Sequence, residues 1–345
     1  LLDSIPSQAN RLEELMERKI RELLLPVVAT DIAGYMLTQY STPHRIYDAY
    51  FNYSKLDGTP FYETDLGRML IRADTWTATP LFRYAPNTLL FGGWASHADE
   101  KALDIVGGKK RIRQAQAKIE RAMEAMILGI VDDITEDGKV RSLEEIRRMF
   151  TVGKTASRKD PLNVTMEMKR GKASELGFGH VTPTVDEVGY ITIEEALYQS
   201  LINFPVLRKL YFPVTDDGIT YSYSEERDTA GRVVLAALGI HLIALYLNRN
   251  VLQLRSRATL VPKDPTPVMR YMRGFGREEE IELDAEQTAE LYRLALEEAA
   301  RHGLQFEKEC VRLVFDEGLV DGLESIVFRT PAVPPHLRDI CKGRE

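Results

Sequence analysis

Arg255 and Arg257, one residue apart, and the run Lys154, Arg158, Lys169, Arg170 and Lys172 are residues whose type suits one task, holding phosphate. Gly177 and Gly179 follow the lysine-rich run and let a backbone approach a ligand closely. A third group, Ser7, Gln8, Asn10 and Arg11, is expected just before a charged helix, where outward-pointing N–H groups favour an oxyanion; a plain N-cap role for Asn10 would explain only one of the four. Motifs for bond-breaking do not assemble. Gly153, Lys154 and Thr155 copy the end of a phosphate loop, but Arg148 stands where the motif needs its first glycine. Arg273, Gly274, Phe275 and Gly276 open like an RNA-recognition signature, yet Arg277, Glu278 and Glu279 replace the aromatics that should follow. The 6 histidines are scattered, and Cys310 and Cys341 have neither metal spacing nor a second pair, so no disulfide framework, no metal site and no cofactor is expected and a reducing cytoplasm fits.

The arginine pair sits in the stretch that organises the chain, Thr229 to Pro262. From Gly231 to Leu247 nearly every residue is apolar, the pattern of a helix packed on most of its circumference. His241 in its middle and arginines close to both ends argue for a core helix rather than a membrane span. It should stop at Asn248, Arg249 and Asn250, after which the alternation becomes two-fold. Leu252, Leu254, Ser256, Ala258 and Leu260 would face the helix, and Gln253, Arg255, Arg257 and Thr259 would face out. A sheet covered by helices on one side and open and basic on the other suits a polyanion.

The 345 residues and 44% hydrophobic content suffice for a real core, and the expectation is a single α+β domain over 1–345. The chain starts at Leu1 rather than Met, so the true N-terminus is expected to lie before it, which leaves a leader or a first strand open. The net charge of −7 is uneven: residues 276–345 hold 9 basic against 17 acidic side chains, while residues 105–172 hold 16 basic against 10 acidic. Such asymmetry suits a head-to-tail oligomer, although separate solvated faces would produce it too.

Residues 35–94 interleave aromatics with Arg45, Arg68, Arg72 and Arg83 among turns and short β-prone pieces, a mixture that suits single-stranded nucleic acid. Most of these rings should still be core, with Trp76 and Trp94 as packing anchors. A helical insertion is expected at about 99–150, with Lys109 to Val131 as its main helix and a cap at Ser142 opening a second. A basic loop or hairpin arm should cover 151–192. A helix from Ile193 to Leu210 broken at Pro205, a turn at Asp217-Gly218, an amphipathic helix from Asp284 to His302 and a strand from Glu309 to Phe315 complete the chain.

SQANRLEEL at 7–15, TPLFRYAPNTLLFGGW at 79–94, TASRKDPLNV at 155–164, KASELGFGHVTP at 172–183, and AGRVVLAALG with LRSRATLVP within 230–262 together resemble, in that order, the backbone subunit of type I-G (formerly I-U) CRISPR Cascade, the Csb-one branch of the Cas-seven family. The resemblance implies a ferredoxin-like, RNA-recognition-type palm with inserted finger and thumb elements. It also implies a non-catalytic subunit that polymerises with copies of itself along a guide RNA (crRNA), meets other Cascade subunits, and leaves the guide free to pair with target DNA. The expected RNA contacts are Ser7, Gln8, Asn10, Arg11, Arg72, Lys154, Arg158, Arg170, Lys172, Ser174, His180, Arg255 and Arg257. Two other readings remain open: a guide-processing endoribonuclease using His44, His97 or His180 as base, and a protein-only scaffold.

Overall fold

The computed structural model describes residues 1–32, 35–95, 118–131, 164–168, 193–215, 220–254, 258–264, 266–319, 323–328 and 340–341. Its strands are β1 (Val27–Ile32), β2 (Tyr35–Thr38), β3 (Ser54–Leu56), β4 (Thr59–Pro60), β5 (Gly93–Trp94), β6 (Lys118–Ile119), β7 (Met123–Val131), β8 (Val164–Met168), β9 (Ile193–Ile202), β10 (Leu252–Gln253), β11 (Thr259–Leu260), β12 (Val268–Arg273), β13 (Arg277–Glu282), β14 (Cys310–Phe315) and β15 (Leu323–Phe328). The helices are α1 (Ile5–Arg18), α2 (Ala49–Asn52), α3 (Asp65–Arg72), α4 (Thr79–Tyr84), α5 (Pro86–Phe91), α6 (Phe204–Leu207), α7 (Glu225–Leu247) and α8 (Ala285–Arg301).

The class is α+β, built round a mixed five-stranded sheet in the order β2-β1-β14-β3-β4, consistent with a ferredoxin-like palm. β1 runs parallel to β14, with Val27 opposite Cys310, and antiparallel to β2; β14 runs antiparallel to β3. Tight closure of the β3–β4 hairpin comes from Asp57 and Gly58, both at positive φ, 51° and 82°. Val27, Val28, Ala29, Thr30 and Ile32 are all buried, so the central strand is covered on both faces rather than open on one.

α7 is the core helix the sequence predicts, capped by Ser224 and ending at Asn248. It is long and apolar enough to cross a membrane, but Val234, Leu235, Leu238, Leu242 and Tyr246 are buried against the rest of the chain. Gly231 is required: a Cβ there would come within 2.6 Å of Phe212 and 2.7 Å of Leu304. α8 and β14 also fall where expected, α8 opened by a capping box between Asp284 and Gln287. Val214 bridges Ser222, while the predicted turn at Asp217-Gly218 between them lies outside the described residues.

Several expectations fail. Within the predicted helical insertion, Lys118–Ile119 and Met123–Val131 are strands, and β7 pairs antiparallel with β9, which in turn replaces the first half of the helix expected from Ile193. Met123, Ala125 and Ile127 are buried while the intervening Met126, Leu128 and Ile130 are also apolar, so the two-fold signal is swamped and imitates a buried helix. Pro205 sits in the first turn of α6, where its missing N–H costs nothing. The strand expected from Leu252 to Leu260 is a hairpin, β10 with β11, separate from the five-stranded sheet. Leu252 and Leu254 do turn inward and Gln253 outward. Residues 35–94 hold the short β pieces expected, β2 to β5, but also four helices that were not, and Trp76 and Trp94 are exposed (59% and 57%) rather than anchors, while Tyr40, Phe51, Phe61, Phe82 and Phe91 do form core. In the expected arm at 151–192, the described strand β8 pairs with β15 near the other end of the chain.

Cys310 and Cys341 are joined as a disulfide with Cα atoms 5.5 Å apart, which corrects the sequence expectation. Their separation of 31 residues says nothing about distance once the chain end returns to the start of β14. Replacing both by serine is expected to lower stability by about 2–4 kcal/mol, because the cross-link restricts the unfolded chain. Denaturant midpoints with and without reductant check this: the reduced wild type should coincide with the double variant.

Candidate nucleic-acid interface

α1 begins at Ile5 rather than after Arg11, because Ser4 caps it, accepting from the Ser7 N–H (3.4 Å), and Pro6 fits its first turn. Ser7, Gln8, Asn10 and Arg11 therefore lie inside the helix, and the first three are buried, which overturns both the outward-facing oxyanion site and the N-cap role of Asn10. What they form instead is an internal polar joint. Asp3, bridged to Ile127 of β7, accepts from Gln8 Nε2 (2.6 Å) and from Arg11 Nε (2.7 Å). Gln8 Nε2 also reaches the Tyr246 hydroxyl of α7 (3.3 Å), and Arg11 Nη1 donates to the Gln253 carbonyl of β10 (2.8 Å). One residue row of α1 thus ties together β7, α7 and the β10–β11 hairpin.

The joint has polar capacity left over. Ser7 Oγ, Gln8 Oε1 and the Tyr198 hydroxyl of β9 are buried without a hydrogen-bond partner among the described residues. Tyr198 and Tyr246 lie with ring centroids 5.7 Å apart, and the Arg249 guanidinium covers the Tyr246 ring at 5.7 Å. Burial pushes both phenols above their ordinary range, with a smaller upward push on Tyr198 from Tyr246, so both hydroxyls keep their protons and remain donors at neutral pH. Buried as they are, these groups stiffen the joint behind the β10–β11 hairpin rather than face a ligand. The arrangement contains no strong base.

Among the expected contact residues, Arg11 is linked by its hydrogen bond to the hairpin that brackets Arg255 and Arg257, while those two arginines themselves lie outside the described residues, as do Lys154, Arg158, Arg170, Lys172, Ser174 and His180. Arg72 stands apart: it ends α3 on the exposed surface, and α3 packs on Phe61–Glu63 and α4. The backbone N–H of His44 donates to Asp48 Oδ2 (2.9 Å), a bond that does not involve its ring; His241 is buried against Thr288 Oγ1 (3.0 Å) and its pKa is lowered by desolvation. Tyr246 could not be found by local reading, since it meets Gln8 across 238 residues of chain, and Tyr198 joins the group only through Tyr246; Asp3 lies five residues from Gln8, but nothing in that stretch signals its role.

Beneath the joint, Glu13 anchors α1. Its carboxylate, 1% exposed, accepts from Arg45 Nε (2.8 Å) and Nη2 (3.2 Å) and from Asn87 Nδ2 (2.8 Å). Arg45 Nη1 continues to the Gly92 carbonyl (3.0 Å), and Thr38 Oγ1 donates to Glu17 one turn along (2.5 Å). The polar face of α1 is thereby held against β2, α5 and β5.

Residues 1–133 match the family model described as CRISPR-associated protein GSU0053 (Cas_GSU0053). No curated protein and no solved structure matches the chain. The matched span supplies Asp3, Ser7, Gln8 and Arg11, whereas Tyr198, Tyr246 and the β10–β11 hairpin come from beyond it. Over its first 133 residues, which include α1, the chain matches a CRISPR-associated protein family.

Proposed function

We propose that this chain is the guide-RNA-binding backbone subunit of a type I Cascade surveillance complex, of the type I-G Csb-one branch, and that it binds RNA without cutting it. The observation that carries the reading is the hydrogen bond from Arg11 to the Gln253 carbonyl. It fastens a polar, partly unsatisfied helix row, in the part of the chain that matches a CRISPR-associated family, to the hairpin that brackets two arginines. Direct phosphate contacts from Arg255, Arg257 and the basic segment 154–172 would give sequence-tolerant binding of the guide backbone, with the row of buried Gln8 and mostly buried Arg11 holding the hairpin from behind rather than touching the guide. Target DNA then meets the protein through the guide, in the cytoplasm, with no membrane involved. The Cys310–Cys341 disulfide pulls against that compartment, where thiols are kept reduced.

Assembly follows from the uneven charge. The acidic 276–345 region of one copy facing the basic 105–172 region of the next is a heterologous contact, and one that does not close makes an open helical filament alongside the other Cascade subunits. Part of that acidity is already spent within the β12–β13 hairpin, where Arg270 pairs with Glu280 (2.9 Å) and Arg273 with Glu279 (3.0 Å). Exposed pairs contribute about 0–1 kcal/mol each, so copies should gather only along RNA. Protein purified with a co-expressed guide should carry that guide as one intact species and form rods whose length follows the guide. Nucleic-acid-free monomers, or a guide recovered in fragments, would refute the reading.

A further inference from the structure

A second site lies at the other end of α7. Asp228, near its start, and Tyr246, near its end, are eighteen residues apart, roughly 27 Å along a helix. Around the start a surface cleft of about 710 Å³ is lined by Trp76, Arg208, Tyr211, Tyr223, Glu225 and Arg232, among others. Trp76 stacks on Tyr211 with ring centroids 4.8 Å apart and planes within 8°, which covers one indole face and leaves the side chain 59% exposed. Tyr223 stands edge-on to Tyr211 (6.2 Å, 79°), and its hydroxyl donates to the Trp76 carbonyl (3.3 Å).

The platform is rigid for a loop. Tyr211 N–H donates to the Thr75 carbonyl (2.7 Å) and the Ala78 N–H to the Tyr211 carbonyl (2.9 Å), while Asp74 Oδ1 accepts from the Trp76 N–H (2.8 Å). An exposed tryptophan so fixed has lost its conformational freedom before any ligand arrives. The charges say which ligand. Arg232 lies over the Tyr211 ring (5.2 Å), held there by the Leu210 carbonyl (2.9 and 2.8 Å), and Arg208 lines the same cleft. The lining balances two cations, Arg208 and Arg232, against two acids, Glu225 and Asp228, but Asp228 is buried and turned to the Phe212 N–H (2.6 Å), so two guanidiniums face the opening with one carboxylate, an arrangement that suits a flat ring bearing a phosphate.

We infer that this cleft is a nucleobase site, taking one unpaired base of a single-stranded nucleic acid on the free face of Trp76 with its phosphate toward Arg208 and Arg232. The strand can be the guide itself or a second one. The inference is independent of the guide-binding reading, because the site needs neither the α1 joint nor Arg255 and Arg257.

Full-length protein carrying Trp94→Phe, which leaves Trp76 as its single tryptophan, is titrated with a 15-mer of deoxythymidine, and affinity is read in parallel by anisotropy of the labelled oligomer. Saturable quenching of Trp76 by the oligomer, or quenching already present with co-purified RNA and released by ribonuclease, supports the site and tells the two sources apart. Trp76→Ala should weaken oligomer binding roughly 5- to 150-fold, the range for losing one stacked base. Tyr223→Ala should weaken it less, and guide content should be unchanged in both. Unaltered oligomer affinity in Trp76→Ala overturns the inference. So does Trp76 emission that follows protein concentration rather than oligomer, since the cleft would then be covered by another copy of the chain. Should no guide co-purify, the titration still reads Trp76 by itself.

Discussion

Arg45→Ala is expected to destabilise the protein by about 3–5 kcal/mol, since it strands a buried carboxylate rather than deleting a surface contact. Arg45 has a side chain 12% exposed and meets a Glu13 that is 1% exposed, through two of its own nitrogens. Removing Arg45 takes away the two-nitrogen contact that neutralises Glu13 directly, leaving Asn87 as a donor and the charge of Arg121 acting from further off, and the buried carboxylate is driven toward taking up a proton. The denaturant midpoint should drop with little change in its slope. Glu13→Gln placed on top of Arg45→Ala should return part of the loss, because a neutral amide needs no cation. If the double variant is as unstable as the sum of the two single ones, the pair is not coupled and the account is wrong. Guide binding should fall in Arg45→Ala as well, because α1, which carries Gln8 and Arg11, is held in place through Glu13.

The other large effect should fall on binding alone. Replacing Arg255 and Arg257 together by alanine is expected to lower affinity for guide RNA by 100-fold or more, taking about 1.5–3 kcal/mol for each charge-assisted contact. The dependence on salt identifies the cause. Log affinity should fall with log salt by roughly 0.7 per neutralised phosphate on a single strand, so the double variant should lose about 1.4 from that slope. Stability should be unaltered. A weaker complex with the wild-type slope would mean that the arginines do not touch phosphate, and unchanged affinity would remove them from the interface. Arg11→Ala separates positioning from contact: it frees the Gln253 carbonyl and loosens the hairpin, so affinity should drop while most of the slope remains.

What could be read beforehand follows how local the determining interactions are. α7, its stop at Asn248, α8 and β14 were legible because each carries its own period and caps within one stretch. β7 and β9 were misread as helix for a definite reason: Met126, Leu128 and Ile130 make the second face of β7 apolar, while in β9 the run Glu194-Glu195 sits at a register shift that breaks the alternation. The donors of α1 were legible as a group, but not their direction, because burial was decided by Asp3, Tyr246 and Gln253, the last two far away in sequence. The disulfide escaped for the same reason. Trp76 was assigned to the core on its hydrophobicity; the stack on Tyr211 that leaves it exposed involves a residue well over a hundred positions further on.

The pairing of Val27 with Cys310 also has a temporal side. The strand lying against β1 on one side is made 283 residues later, so the central sheet cannot close until β14 has been synthesised. At roughly 5–20 residues per second, β1 waits about 15 to 60 s on the ribosome with that edge unsatisfied. Its residues, Val-Val-Ala-Thr-Asp-Ile, are β-prone and largely apolar, the kind of segment that pairs with whatever strand is nearest. Low yield from over-rapid expression, improved by slower translation or by a chaperone, would be the practical face of a central sheet whose paired strands lie so far apart in sequence.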